Sequence, residues 1–162
     1  MRRKKHSVGE VLVFFRMSTA RELFEKGEEL FKRGEKLAAL ASFEKSCQLD
    51  DSDPLCRSYL ALLSATQRGQ MENAAKVLED LVEQFPEEPL VYLNLGRLYL
   101  FADRKQDAVD TLRKGAAAGK LPEIHQLLES LGLRKKPVIP FLSRQNPINK
   151  FSGLLLKKLH LR

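Results

Sequence analysis

The sequence predicts an all-α fold, a stack of helix–turn–helix hairpins followed by a capping helix and an extended basic tail. Three observations lead to this fold class. A pattern of turn residue, alanine and large apolar residue recurs three times, with the turn residues 35 and then 34 positions apart. Leu, Ala, Glu and Lys dominate the composition, which favours helices. A proline-containing basic segment follows the last repeat.

Each repeat is built around one turn residue, namely Gly34, Gly69 or Asp103. Gly and Asp tolerate the left-handed backbone conformation that ends many helices. An alanine stands five residues after each turn, and a large apolar residue four positions later falls on the same helix face. These pairs are Ala39 with Phe43, Ala74 with Leu78, and Ala108 with Leu112. Such a hairpin cannot bury its apolar face alone, so we expect it to stack on its neighbours.

The segments before the turns carry a second pattern. Tyr92, Leu95-Gly96 and Tyr99 precede Asp103 at spacings similar to those of the first helix of the tetratricopeptide repeat. Matching positions before Gly34 hold Leu23, Gly27 and Leu30, whereas the middle unit departs, with Ser58, Ala61, Leu62 and Ala65. From Ala20 to about Lys120, the chain therefore resembles a small, bacterial-type three-repeat tetratricopeptide protein. A different three-hairpin bundle is the alternative, and the fixed period disfavours it.

The resemblance implies a right-handed superhelical stack over a repeat domain at 18–132. Within it we expect repeats at about 20–53, 55–88 and 89–120, and a capping helix at 122–131. Pro122 suits the first turn of that helix and Gly132 its C-terminal cap. Residues 133–162 form the tail. Prolines at 137 and 140 predict an extended segment, and a short amphipathic helix follows Pro147.

Residues 1–17 form a basic, then apolar leader that faintly resembles a signal peptide. Glu10 interrupts the apolar stretch, and no small-residue cleavage site follows. We expect a disordered leader or a misassigned start, with Met17 as the true first residue and Ser18 or Thr19 as the N-cap of the first helix. We also expect residues 1–17 to be unnecessary for folding.

The formal net charge of +7 is unevenly distributed. Residues 1–19 carry +4 and residues 134–162 carry +8, so the residues between them carry −5 of the total. An electrostatic argument for nucleic acid therefore applies only to the ends.

We expect the apolar segment Val138 to Leu142 to dock on the chain's own helical array. The alternative is a tail that stays disordered until a partner or membrane arrives.

No constellation in the sequence points to catalysis, a cofactor, a metal or a small-molecule substrate. His6, His125 and His160 lie far apart with no nucleophile or metal-ligand partner, and no phosphate-binding loop is present. Cys47 and Cys56 are too few for a disulfide framework, which suits apolar packing in a reducing compartment. We therefore expect a cytoplasmic protein that is not an enzyme.

The resemblance further implies that the first helix of each repeat lines a concave partner-binding groove. Carried over position by position, the groove residues are Phe24, Glu28, Phe31, Tyr59, Leu63, Thr66, Leu93, Arg97 and Leu100. They are mostly apolar or aromatic, so we do not expect the family's clamp for a C-terminal carboxylate. Inner packing is an open alternative for these side chains, because a one-residue error in helix phase would exchange the two roles.

Three functions fit these observations. The first is an adaptor or scaffold that binds a partner protein or peptide in the groove. The second is a small chaperone for a secreted or membrane-active protein, a role that the resemblance allows. The third is a peripheral membrane binder acting through residues 134–162. Nucleic acid is disfavoured as a partner because the tail lacks the aromatic spacing that base stacking needs.

Overall fold

A computed structural model describes residues 8–131 of the 162-residue chain, with side chains from Phe15 onward. Seven helices and no strand occur within this part: α1 Val8–Lys32, α2 Lys36–Leu49, α3 Pro54–Arg68, α4 Met71–Gln84, α5 Pro89–Phe101, α6 Lys105–Ala118 and α7 Pro122–Ser130. Residues up to Gln126 belong to one compact unit, and Leu127 begins a second. The predictions for Gly132, for the docking of Val138 to Leu142 and for the amphipathic helix lie outside the described residues.

The first six helices form three antiparallel hairpins that stack on one another. α1 packs against α2, α3 against α4 and α5 against α6. Neighbouring hairpins meet through α2 with α3, α4 with α5, and α3 with α5. The predicted all-α stack of hairpins is therefore confirmed. None of the described helices is long and apolar enough to cross a membrane.

The three predicted turns are confirmed. Gly34, Gly69 and Asp103 have φ angles of 82°, 74° and 57°, all in the left-handed region. Two of these turns close in the same way, since the amide of Glu35 donates to Leu30 O at 2.9 Å and that of Arg104 to Tyr99 O at 2.8 Å. The left-handed conformation of the turn residue thereby lets the next amide donate to a carbonyl at the helix end, and it directs the chain back along its own hairpin.

Close approach of the two helices in a hairpin depends on small residues. Ala39, Ala74 and Ala108 are buried, as predicted. In the first and third hairpins a glycine opposes a large side chain: a Cβ on Gly27 would lie 2.7 Å from the Phe43 ring, and one on Gly96 2.7 Å from Leu112. The middle hairpin instead buries Leu62 together with Leu78 in one apolar cluster. The middle repeat thus has two large apolar residues where the other two hairpins pair a glycine with a large side chain.

The first helix begins earlier than the sequence predicted. α1 runs unbroken from Val8, so Ser18 and Thr19 lie inside the helix, and the prediction that either is an N-cap is wrong. Thr19 Oγ1 donates instead to Phe15 O, one turn earlier, at 2.9 Å. Arg16 Nη2 donates to Gln48 O at 3.3 Å and so connects this extension to α2. A local capping signal was overridden because helix propagation costs little once a stacked helix is in place.

The capping helix is confirmed as α7. Pro122 occupies its first turn, and Ile124 is fully buried in the unit that contains the hairpins. A Cβ on Gly115 would lie 3.0 Å from Ile124 Cδ1, so a small residue on α6 makes room for this side chain.

Candidate functional site

The predicted groove residues lie on α1, α3 and α5, and Tyr59 is at the centre of the contacts among them. Its ring lies 5.2 Å from Phe31 in an edge-on arrangement and 6.1 Å from Phe24, measured between centroids. On its other side it stacks on Phe43 at 4.8 Å with an interplanar angle of 4°. The first two hairpins are thus joined by four aromatic rings, which bring the groove residues of α1 and α3 together.

A polar contact crosses the same junction. The Tyr59 hydroxyl donates to Glu28 Oε1 at 3.3 Å. Burial and the nearby Glu28 carboxylate raise the pKa of Tyr59 to about 12, although Arg97 acts in the opposite direction. Tyr59 therefore stays protonated at neutral pH and holds the Glu28 side chain at the edge of the four aromatic rings.

Arg97 connects the predicted groove residues of α5 with those of α1. Its guanidinium carbon lies 5.4 Å above the centre of the Phe31 ring, a cation–π contact. Its Nη1 donates to Asn94 Oδ1 at 3.1 Å, and Asn94 Nδ2 in turn donates to Ser58 Oγ at 2.9 Å. This chain of contacts fixes the orientation of the arginine relative to α1 and α3.

The nine predicted residues divide into two groups. Tyr59, Leu63 and Leu93 are buried and belong to the inner packing that the sequence left open as an alternative. Phe24, Glu28, Phe31, Thr66, Arg97 and Leu100 are half-buried and keep surface toward solvent. Thr66 Oγ1 donates to Leu62 O of its own helix at 3.0 Å, and Leu100 packs on the apolar cluster of the second and third hairpins.

An open cavity of about 780 Å³ adjoins the α1 part of this face. We call it the α1 cavity. Its walls come from one face of α1 and from the region where α2 ends and α3 begins. The lining residues are Met17, Ser18, Ala20, Arg21, Phe24, Glu25, Glu28, Ser46, Asp50, Asp53 and Leu55. Phe24 and Glu28 are the only two of the nine predicted groove residues among them.

Nine of the lining residues are not among the predicted groove residues, and for four of these nine the sequence indicates another role. Met17 falls in the predicted leader, and Ser18 is a predicted N-cap. Asp50 and Asp53 follow the end of α2, where acidic residues indicate a turn and an N-cap, and both act that way. Asp50 Oδ1 accepts from Ser52 N at 3.0 Å, and Asp53 Oδ1 accepts from Leu55 N at 2.9 Å. Only the packing of α1 beside this turn brings these carboxylates to the α1 cavity.

Within the described residues, no group of three or more His, Cys, Asp or Glu side chains could hold a metal ion. Cys56 is buried, and its Sγ donates to Phe43 O at 3.4 Å, while half-buried Cys47 packs on the apolar cluster that contains Cys56 and Phe43. What remains is a solvent-open surface of aromatic, apolar and charged side chains, which suits binding.

The fold is that of a helical repeat protein in which the predicted groove residues lie on the first helix of each hairpin. Residues 65–131 match the sequence model of the tetratricopeptide repeat family. This match agrees with the resemblance that the sequence pattern predicted, and helical hairpins of the same kind continue upstream of the matched residues to α1. No curated protein sequence matches the chain.

Three solved structures with a similar fold are tetratricopeptide domains. The Sgt2 domain from Aspergillus fumigatus is 21% identical with a TM-score of 0.55, over 70% of this chain and 76% of that one. The first such domain of Spaghetti (RPAP3), solved with the HSP90 peptide SRMEEVD, is 17% identical with a TM-score of 0.53, over 71% and 91%. The Arabidopsis OM64 domain is 15% identical with a TM-score of 0.50, over 88% and 98%. At these identities the similarity establishes the fold alone.

Proposed function

We propose that this protein is an adaptor or scaffold that binds a segment of a partner polypeptide along the groove face of α1, α3 and α5. The observation that carries the proposal is the α1 cavity, whose volume of about 780 Å³ falls in the range of sites that hold ligands. Its lining combines half-buried Phe24 with charged side chains at the rim. Apolar anchors surrounded by polar groups are typical of surfaces that bind peptides.

Two further observations support binding in place of catalysis. The groove side chains are held by contacts within the protein, including Tyr59 to Glu28 and Arg97 to Asn94. A pre-oriented surface binds with less loss of conformational entropy than a mobile one. In addition, a protein with the same fold, Spaghetti (RPAP3), has been solved with a bound peptide.

A substitution that fills the α1 cavity tests the proposal. Ser18 lines the cavity and is exposed, so Ser18→Trp should obstruct it without entering the core or changing the charge. Ala117→Trp is the matched control, because Ala117 is an exposed residue of α6, outside the cavity lining. Both variants add an indole to an exposed helical position, and circular dichroism with thermal melting would verify that each one folds.

The measurement is selection of a displayed library of random twelve-residue peptides on the full chain. We expect selected peptides that bind the unmodified protein and Ala117→Trp alike, and that lose at least tenfold in affinity on Ser18→Trp. Peptides that bind all three proteins equally would contradict the proposed groove, and so would a failure to select any peptide.

A further inference from the structure

The α1 cavity has an uneven charge. Four carboxylates line it, those of Glu25, Glu28, Asp50 and Asp53, against a single guanidinium, that of Arg21. Arg21 Nε already donates to Glu25 Oε1 at 3.1 Å, one helical turn away on α1. The positive charge of the lining is therefore paired with one carboxylate, and the other three keep a negative surplus at the cavity.

Three of the carboxylates are held in place by the fold. Asp53 is fixed as the N-cap of α3 and Asp50 by the turn that ends at Ser52, whose hydroxyl donates to Asp50 Oδ1 at 2.6 Å. Glu28 is held by the Tyr59 hydroxyl. Each of these contacts uses one oxygen of the carboxylate, and a carboxylate accepts several hydrogen bonds. A cation that enters the cavity would meet acceptors that need little rearrangement.

The same cavity also has an apolar part. Phe24 and Leu55 are half-buried, and Met17 is 55% exposed. Apolar side chains left partly in water gain free energy when a ligand covers them, in proportion to the area removed from solvent. The unbranched methionine adapts its shape to different apolar partners. The cavity therefore combines an apolar contact surface with a carboxylate rim within one space.

We propose that the α1 cavity selects a polypeptide segment in which a Lys or Arg side chain stands beside a large apolar one. This inference rests on the proposed function and names the chemistry of the partner. Charge complementarity decides the occupant, because a segment rich in carboxylates would bring like charges together inside a partly enclosed space, where repulsion is stronger than in water. A neutral apolar segment would leave the carboxylate rim without a partner.

Removal of two carboxylates tests the charge part separately from the groove itself. In the variant Glu25→Gln with Glu28→Gln, the shape of the cavity is kept and two negative charges are lost. The matched control is Glu72→Gln with Glu83→Gln, which removes two exposed carboxylates from α4, outside the cavity lining. The net charge of the two variants is the same, so a difference between them reports the position of the charges.

The probes are three synthetic peptides with blocked ends, measured with the full chain by fluorescence anisotropy. The first alternates Lys or Arg with Leu and Phe, the second carries Glu in place of each cation, and the third carries Ser in place of each apolar residue. We expect the first to bind most tightly. It should weaken roughly threefold to tenfold on Glu25→Gln with Glu28→Gln, and weaken with added salt, but keep its affinity on the α4 control.

The outcomes separate the two proposals. If the second peptide binds at least as tightly as the first, and Ser18→Trp abolishes its binding, the groove is real and the preference for cations is wrong. If the first peptide binds equally to the double variant and its control, the preference is wrong as well. If the third peptide, which carries Ser in place of each apolar residue, binds as tightly as the first, the apolar part of the cavity does not contribute and the proposed apolar preference is wrong. Indifference of every peptide to Ser18→Trp would overturn both proposals.

Discussion

Asn94 and Ser58 form a buried polar link between the third and second hairpins, with Asn94 Nδ2 donating to Ser58 Oγ at 2.9 Å. Neither residue is exposed to solvent. Ser58 Oγ donates in turn to Leu55 O at 2.8 Å, and Asn94 Oδ1 accepts from Arg97. An unpaired polar group would be costly at this depth, so the link requires α3 and α5 to stack in one arrangement.

The first prediction concerns this link. Ser58→Ala removes the acceptor and leaves a buried amide N–H without it, so the free energy of unfolding should fall by about 1–3 kcal/mol. Chemical denaturation of Ser58→Ala, Asn94→Ala and the double variant measures the coupling between the two side chains. A coupling energy near zero would contradict a structural role for the hydrogen bond.

The second prediction concerns the contact between α5 and α6. Ala108 is fully buried, so Ala108→Leu should lower the free energy of unfolding by about 1–3 kcal/mol through overpacking. Ala117→Leu is the control on the same helix, because Ala117 is exposed and the substitution should change stability by less than about 0.5 kcal/mol. Thermal melting compares the two variants, and equal melting temperatures would contradict the burial of Ala108 between α5 and α6.

A third prediction follows from the glycine of the third hairpin. In Gly96→Ala the new Cβ would lie 2.7 Å from both Cγ and Cδ2 of Leu112, and Cγ lies too near the backbone to swing away. The clash should outweigh the gain of about 1 kcal/mol in helix propensity, so the variant should be less stable. With Leu112→Ala in the background the same substitution should become neutral or stabilising. A loss of similar size in both backgrounds, measured by denaturant unfolding, would rule out this contact as its cause.

The fourth prediction concerns the titration of Tyr59. Its pKa is raised to about 12 by burial and by Glu28, whereas an unfolded tyrosine titrates near 10. The folded state therefore holds this proton more tightly. The corresponding stability is complete below about pH 10 and is lost as the pH rises toward the folded pKa. Glu28→Gln should lower the pKa of Tyr59 in part, because burial remains.

Nuclear magnetic resonance of ring-labelled tyrosine would follow the three tyrosines separately. Glu79→Gln serves as the control: the pKa of Tyr99 is also about 12, raised by burial and by its hydrogen bond to Glu79 at 2.6 Å. This control should lower the pKa of Tyr99 and leave that of Tyr59 unchanged. A Tyr59 that titrates near 10 in the unmodified protein would contradict the buried geometry.

Much of the fold could be predicted because its signals are local. Gly34, Gly69 and Asp103 end helices through backbone conformations that depend on the residue itself, and the alanines recur with the same spacing. A repeat also supplies the same information three times, so a weak match in the middle unit does not obscure the pattern. The start of α1 was not predicted, since helix continuation past Ser18 depends on neighbours that a cap preference ignores.

The all-α class, the three hairpins with their turns and the capping helix follow from residues that are close together in the sequence. Packing between helices determines which of the predicted groove residues are buried, since Tyr59 stacks on Phe43 of another helix while Phe24 keeps surface toward solvent. It also brought Asp50 and Asp53 beside Glu28 to line one cavity. The physical reason is distance along the chain: periodicity fixes the face of a helix on which a side chain lies, whereas burial and the local charge depend on residues that come close only when the hairpins stack.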